Sequence, residues 1–287
     1  MPVFTLPKSS HPDFAVPGVK PKGPVEIDRS EPAALGLAAY GFGLHNFHSN
    51  AAESYYSTFK PDVKGGYLHF NEGRDQETIL VKSLPADWFG GKTELSIAMR
   101  LRYHGASGTH SLCGHWDDLQ GSGGRATRFL LQSTPGTNFV LFGNDGGTRV
   151  VVPSDAADVF GDGGWHTIVA MIRGGNLKLA VDGVVLADSA ACSTLATGGT
   201  VVFPEIMGGE EATGFTGYCP QFDLDWWGMW GVGISDPVIR DLHYEPYRSI
   251  LKPSIPLTYF VPGAAAGGGF QAAWARNANT IIQQVTR

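Results

Sequence analysis

The chain has 287 residues with a net charge of −6; 43% are hydrophobic and 17% charged. Its 39 Gly and 18 Pro make up about a fifth of the sequence, with glycine near twice its usual ~7% share. So much apolar material excludes wholesale disorder, and an acidic balance with no basic block excludes a phosphate-driven nucleic-acid binder.

No run approaches the ~18 apolar residues of a membrane span. The start, Met1 to Thr5, lacks the charged-then-apolar design of a signal peptide. Cys113, Cys192 and Cys219 are odd in number, without metal-type spacing, and do not read as a disulfide framework. The expectation is a protein assembled in a reducing cytosol.

Residues 1–33 read as an extended arm. Pro2, Pro7, Pro12, Pro17, Pro21, Pro24 and Pro32 recur about every five residues. Each fixes its own φ and pushes the preceding residue towards extended geometry, which forbids a helix or a central strand. Two readings stay open: a disordered leader, or an arm lying along a neighbouring subunit.

Residues 34–252 read as the body, and from about residue 50 to 232 the pattern is strand after strand. In Glu94–Tyr103, Leu95, Ile97, Met99, Leu101 and Tyr103 fall on one face; Glu94, Ser96, Ala98, Arg100 and Arg102 fall on the other. That alternation predicts a half-buried strand. Further strands are expected at Gly66–Asn71, Glu77–Lys82, Thr127–Gln132, Asn138–Phe142 and Thr148–Val152. Others follow at Trp165–Arg173, Leu177–Val181, Val184–Ala187, Thr200–Phe203 and Phe222–Trp230. Gly, Asp, Asn and Ser clusters separate them, which points to an antiparallel sandwich or barrel. Gly174-Gly175 and Asp182-Gly183 predict two tight hairpins, the latter a type I′ turn.

One helix is expected over 237–244, with Asp236 as its cap, Pro237 in its first turn, and Ile239 and Leu242 turned to the body. Residues 253–287 form a proline-bounded, Gly/Ala-rich linker and a last segment. Phe270, Trp274, Ile281 and Ile282 in that segment favour docking onto the body or a partner.

The run Gly164-Trp165-His166-Thr167-Ile168-Val169-Ala170, continuing through Leu177-Lys178-Leu179-Ala180-Val181-Asp182-Gly183, resembles the signature of laminin-G-like, concanavalin A-like jelly rolls. Phe222-Asp223-Leu224-Asp225-Trp226-Trp227-Gly228-Met229-Trp230 is similar to a second strand of that family. Ile234, Ser235, Ile239, Leu242 and Tyr244 resemble its closing segment, so the likeness covers about residues 93–245. It implies an all-β antiparallel jelly-roll sandwich with an extended N-terminal arm and a C-terminal tail. The flanks, Gly23–Leu37 and Tyr244–Pro253, are similar to the lead and exit of jelly-roll proteins encoded by tailed bacteriophages.

Retaining glucanases on this fold need carboxylates alternating along one strand, which sets a pair about 5–5.5 Å apart. Only Asp223 and Asp225 offer this, with Trp227 where a third acid would stand. Hydrolysis is therefore disfavoured and no catalytic residue is assigned. On the expected alternation, Phe222, Leu224, Trp226 and Trp230 face the core. Trp227 then shares the opposite face with Asp223 and Asp225, where it could stack on a sugar ring, as could Trp116 in its loop.

Cys113, His115 and Asp117 would share a strand face and could suit zinc, but no second ligand pair follows. His45 and His48 have no helix to bring them together. Asp117, Asp118, Asn144 and Asp145 are loop candidates for calcium, since some members of the resembled family bind it through loop oxygens; no other cofactor is expected. No nucleophile signature or phosphate loop is present.

The sequence thus suggests a non-enzymatic structural and interaction protein of a tailed-phage virion, assembled in the bacterial cytoplasm, with head decoration ahead of a tail position. Its expected partners are the major capsid protein or tail proteins and further copies of itself in a closed oligomer such as a trimer. No nucleic acid and no membrane span are expected. The alternatives are a tail-associated module that recognises host-surface glycans and, less favoured, a glucanase-like hydrolase.

Overall fold

Alternating apolar residues and glycine-rich punctuation build strands, and among the described residues of the computed structural model every strand pairing is antiparallel. The structure describes residues 3–5, 20–21, 25–42, 45–46, 54–55, 62–64, 67–70, 79–104, 110–120, 124–134, 138–145, 148–153, 162–197, 204–207, 222–253 and 258–260. Cys219, His48, the Thr200–Phe203 strand and the Phe270–Arg287 docking segment lie outside the described residues. The chain divides into two compact units: 32–244, and a second made of 1–31 with 245–287.

The larger unit is a sandwich. Among the described residues, one sheet runs Val184–Ala191, Asn176–Val181, Trp165–Arg173, Leu95–Tyr103, Phe222–Trp230, Leu37–Phe42 and His45–Asn46. Tyr67–His69 pairs with the free end of Phe222–Trp230, and Asp62–Lys64 pairs with Tyr67–His69. The other sheet runs Thr148–Pro153, Asn138–Asp145, Gly124–Thr134, His110–Gln120, Glu205–Ile206, Ile79–Leu80 and Ser54–Tyr55. The core lies between them. Ile97, Met99, Leu101, Ile168, Ile172 and Leu179 of the first sheet join Leu112, Phe129, Leu131 and Ile206 of the second in one buried apolar cluster. Phe89 stacks on Phe129 with ring centroids 5.8 Å apart.

Close backbone approach fixes Gly114. A Cβ there would lie 2.1 Å from the Phe129 carbonyl oxygen, and its φ of +129° disfavours any other residue.

Both expected hairpins form. Gly174 and Gly175 have φ of 59° and 72°; Asp182 and Gly183 have 48° and 83°, the positive pair of a type I′ turn. Asp182 is fixed by its own partners. Its Oδ1 accepts from the Thr167 amide at 2.9 Å and its Oδ2 from His166 Nδ1 at 2.7 Å, while His166 Nε2 reaches Asp162 at 3.0 Å. Burial would lower the His166 pKa, but bonding to Asp162 and Asp182 outweighs it and holds the imidazole above its ordinary value. The Trp-His and Asp-Gly motifs thus clamp a strand to a neighbouring turn.

The helix spans Asp236–Tyr244 and buries Val238, Ile239 and Leu242. Its first bond runs from the Ile239 amide to the Ser235 carbonyl at 2.9 Å, so Ser235 holds the cap position. The expected cap, Asp236, is the first helical residue and pairs with Arg173 at 2.6 Å. Leu95–Tyr103 also departs from the half-buried expectation, being buried on both faces as far as Met99. The chain after Phe222–Trp230 crosses its outer side: Ser96 Oγ donates to the Val232 carbonyl and accepts from the Ile234 amide, each at 3.0 Å. Trp230 Nε1 donates to the Ala33 carbonyl at 2.7 Å. One end of this outer face is therefore covered. The other end, at Arg102 and Asp223, carries the candidate site.

In the second unit the two chain ends pair with each other. Val3–Thr5 lies antiparallel to Thr258–Phe260, and Val25–Ile27 to Leu251–Pro253. The Asp28 amide donates to the Ile250 carbonyl at 2.7 Å, and Lys252 faces Glu26 at 3.5 Å. Residues 245–252, expected within the body, group here with residues 1–31.

Candidate functional site

Phe222–Trp230 is buried along its whole length, and its register decides the site. Leu224 pairs with Leu101, but the next paired residue is Trp226, opposite Arg100; Asp225 is the extra residue of a bulge. The bulge reverses the alternation beyond it. Trp227, expected on the outer face as a sugar contact, instead packs in the core with Met229 at 1% exposure. Trp226 and Trp230, expected inward, lie on the outer face. There Trp226 is tilted against Tyr40 with centroids 6.2 Å apart.

Asp223 precedes the bulge and keeps its outward direction. It has a cross-strand partner on each side, His69 and Arg102, and Arg102 in turn sits opposite Trp165. Four side chains thus form one row across four strands, at direct-neighbour spacing. His104, two residues beyond Arg102, joins diagonally. His69 Nδ1 meets Asp223 Oδ1 at 2.6 Å, and His104 Nε2 meets Oδ2 at 2.6 Å. Arg102 donates to Oδ2 from Nε at 3.0 Å and from Nη2 at 2.5 Å, and Nη2 also donates to the Tyr67 hydroxyl at 3.2 Å.

The Asp223 side chain is 1% exposed. Burial alone would push its carboxyl up. Hydrogen bonds from His69, Arg102 and His104 overcome that and hold it below the usual carboxylate range. The same carboxylate holds the Arg102 guanidinium above its ordinary value, against the opposing effect of burial. Aromatic faces complete the setting: Arg102 lies over Tyr67 at 5.3 Å and Trp165 at 4.9 Å, and Arg100 over Trp165 at 5.6 Å. Arg100 Nη1 donates to Asp225 Oδ2 at 3.2 Å. Both aspartates of the acid strand are therefore held in ion pairs, and Asp223, kept ionised, lacks the proton a general acid needs.

The remaining candidates fare differently. Trp116, Asp117 and Asp118, expected in a loop, belong to the strand His110–Gln120; Asn144 and Asp145, also expected in a loop, end the strand Asn138–Asp145. Their side chains lie outside the described residues. Of Cys113, His115 and Asp117, expected on one strand face, only Cys113 has a described side chain. Cys113 is buried in the core, where desolvation pushes its thiol up and away from the thiolate a metal needs. His45 lies in a two-residue strand.

The sequence reading missed His69, His104, Tyr67 and Trp165 as site residues. The outward alternation of Arg100 and Arg102 was the one signal available. Among the described residues, His69, His104 and Asp223 form the one group whose donor atoms could hold a metal ion, all within 4.8 Å of one another.

No family model matches the sequence, and no curated protein does. Solved structures do match. A Trypanosoma rangeli sialidase mutant with trans-sialidase activity aligns at TM-score 0.52 and 14% identity, covering 75% of this chain and 34% of that one. The Trypanosoma rangeli sialidase bound to 2,3-difluorosialic acid aligns at TM-score 0.50 and 14% identity, covering 73% and 32%. The chain spans about a third of the length of those sialidases. At this identity the likeness is one of fold, and it agrees with the strand register: the body is an all-β antiparallel sandwich.

Proposed function

We propose that the chain is a non-enzymatic structural and interaction protein of a tailed-phage virion, a head-surface decoration protein whose lectin-like sandwich serves as a scaffold. The observation that carries the reading is the pairing of the two chain ends with each other in a unit outside 32–244. Short ladders of this kind are held by backbone hydrogen bonds. An end that pairs with its own tail can pair in the same register with the tail of a neighbouring copy. The likeness of Gly23–Leu37 and Tyr244–Pro253 to phage jelly-roll flanks supplies the virion as the setting. The commitment of Asp223 and Asp225 to Arg102 and Arg100 supports a role without turnover. The partners are the major capsid or tail proteins and further copies of the chain.

Mass spectrometry of purified particles tests this. The chain is expected in many copies per particle, and deletion of residues 1–31 is expected to reduce its incorporation. Absence from particles, or incorporation untouched by the deletion, overturns the reading.

A second reading, recognition of host-surface glycans, is favoured by the half-buried Trp165 and Tyr67 rings beside Arg102 on the open end of the sheet face. A glycan array probed with the wild-type chain and with Trp165→Ala decides it, the variant losing any signal the wild type gives.

A further inference from the structure

We propose that His69 Nδ1, His104 Nε2 and a carboxylate oxygen of Asp223 form a binding site for one divalent transition-metal ion of the zinc class, with its fourth position open. The three donor atoms lie within 4.8 Å of one another. Two imidazole nitrogens and one carboxylate oxygen are a zinc-type donor set, whereas calcium and magnesium select all-oxygen shells.

The site has a floor and a mouth. Asp223 is 1% exposed at the bottom, His69 is 15% exposed beside it, and His104 is 34% exposed above. Three protein ligands around an open position match the pattern of zinc sites that accept an exogenous ligand. The supporting shell is already built. Arg102 grips Asp223 Oδ2 through Nε and Nη2, orienting the carboxylate before a metal arrives.

Binding requires a small opening. Zinc–ligand bonds of about 2.0–2.2 Å in a tetrahedron place neighbouring donors roughly 3.3 Å apart, whereas each imidazole nitrogen now lies 2.6 Å from its carboxylate oxygen. The rings must each withdraw by a fraction of an ångström. His104, just beyond the end of Leu95–Tyr103 and 34% exposed, is the ring that can withdraw towards solvent. In the present arrangement the ring nitrogens facing the carboxylate carry hydrogens. On binding, each neutral ring presents a lone pair there and carries its hydrogen on the opposite nitrogen, His69 Nε2 and His104 Nδ1. With Arg102 adjacent and a single carboxylate in the shell, charge balance directs the fourth position to water or an anionic oxygen donor. The inference stands independently of the virion reading.

The test uses the full-length chain stripped of metal with a chelator. Titration calorimetry with zinc chloride is expected to give one equivalent per chain at micromolar affinity or better. Cobalt(II) in its place is expected to give the visible absorption of a tetrahedral site. His69→Ala and His104→Ala should each weaken binding by more than about tenfold, the loss that even an outer-shell partner can cause. Because His104 is a surface residue, circular dichroism of its variant should match the wild type, which assigns the loss to the site. Millimolar affinity, less than one equivalent, or binding undiminished in both variants overturns the proposal.

Discussion

At the scale of single residues the molecule is governed by how buried charges find partners. Asp223 is tolerable under the sheet surface because Arg102, His69 and His104 supply its hydrogen bonds. Replacing it by Ala strands a guanidinium and two imidazoles without their acceptor. A fully buried pair broken on one side costs about 3–5 kcal/mol. Arg102 and His104 retain partial access to water, so about 2–3 kcal/mol is expected for Asp223→Ala, read from urea unfolding. His166 gives the molecule a pH dependence of known sign. Its folded-state value is raised by Asp162 and Asp182, so the folded form binds the proton more tightly than the unfolded chain. The contribution is fully present below about pH 6.5 and is lost as pH rises through the raised value. His243, facing the same Asp182, is shifted the other way, chiefly by burial, and opposes it. The stability advantage of the wild type over His166→Asn is therefore expected to be larger at pH 5.5 than at pH 8.5. A constant difference would show that the clamp is not charge-assisted.

At the scale of elements, one inserted residue sets the chemistry of a face. Asp225 bulges out of register between Leu224 and Trp226, and every side chain beyond it changes sides. Trp227 becomes core and the outer face receives Trp226 and Trp230. Gly228 follows from the same phase: a Cβ there would fall 2.5 Å from the Trp230 ring. Trp227→Ala is accordingly expected to cost about 3–5 kcal/mol, the range for a buried aromatic truncation. An outward Trp227 would cost within about 0.5 kcal/mol. A shift in the urea midpoint at unchanged slope distinguishes the two. The Trp-His and Asp-Gly motifs show the opposite case, in which local chemistry and tertiary contacts agree: positive φ at Asp182 and Gly183 forms the turn, and the Asp182 carboxylate ties it to Thr167 and His166.

At the scale of the whole molecule, the segments that flank the sandwich on either side in the chain pair with each other. Lys252 is the cross-strand partner of Glu26, so a Glu26→Cys/Lys252→Cys pair is placed to form a disulfide. Cys113 and Cys192 are buried and stand aside from that reaction, and a Cys219→Ser background removes the third thiol. Mild oxidation of the free subunit is expected to give an intrachain crosslink, visible as a faster-migrating monomer on a non-reducing gel. In assembled particles, exchange of ends between copies would give crosslinked dimers and higher species instead. Failure to crosslink in either state would remove the ladder and, with it, the basis for end exchange.

The sequence alone determined the local features of this protein. Period-two alternation marked Glu94–Tyr103 as a strand, glycine and Asp-Gly turns marked the hairpins, and the composition marked an all-β body, because each depends on residues close in the chain. It also picked out Asp223 and Asp225 as the unusual acids of a buried strand. Tertiary structure alone decided what those acids are for. The partners of Asp223 lie 119 to 154 residues away, on two other strands whose register no local pattern encodes. The face on which Trp227 ends up depends on a bulge that is visible only in the pairing with Leu95–Tyr103. Side-chain direction in a sheet has a period of two, so a single unpaired residue inverts it, and only the neighbouring strands record where that residue falls.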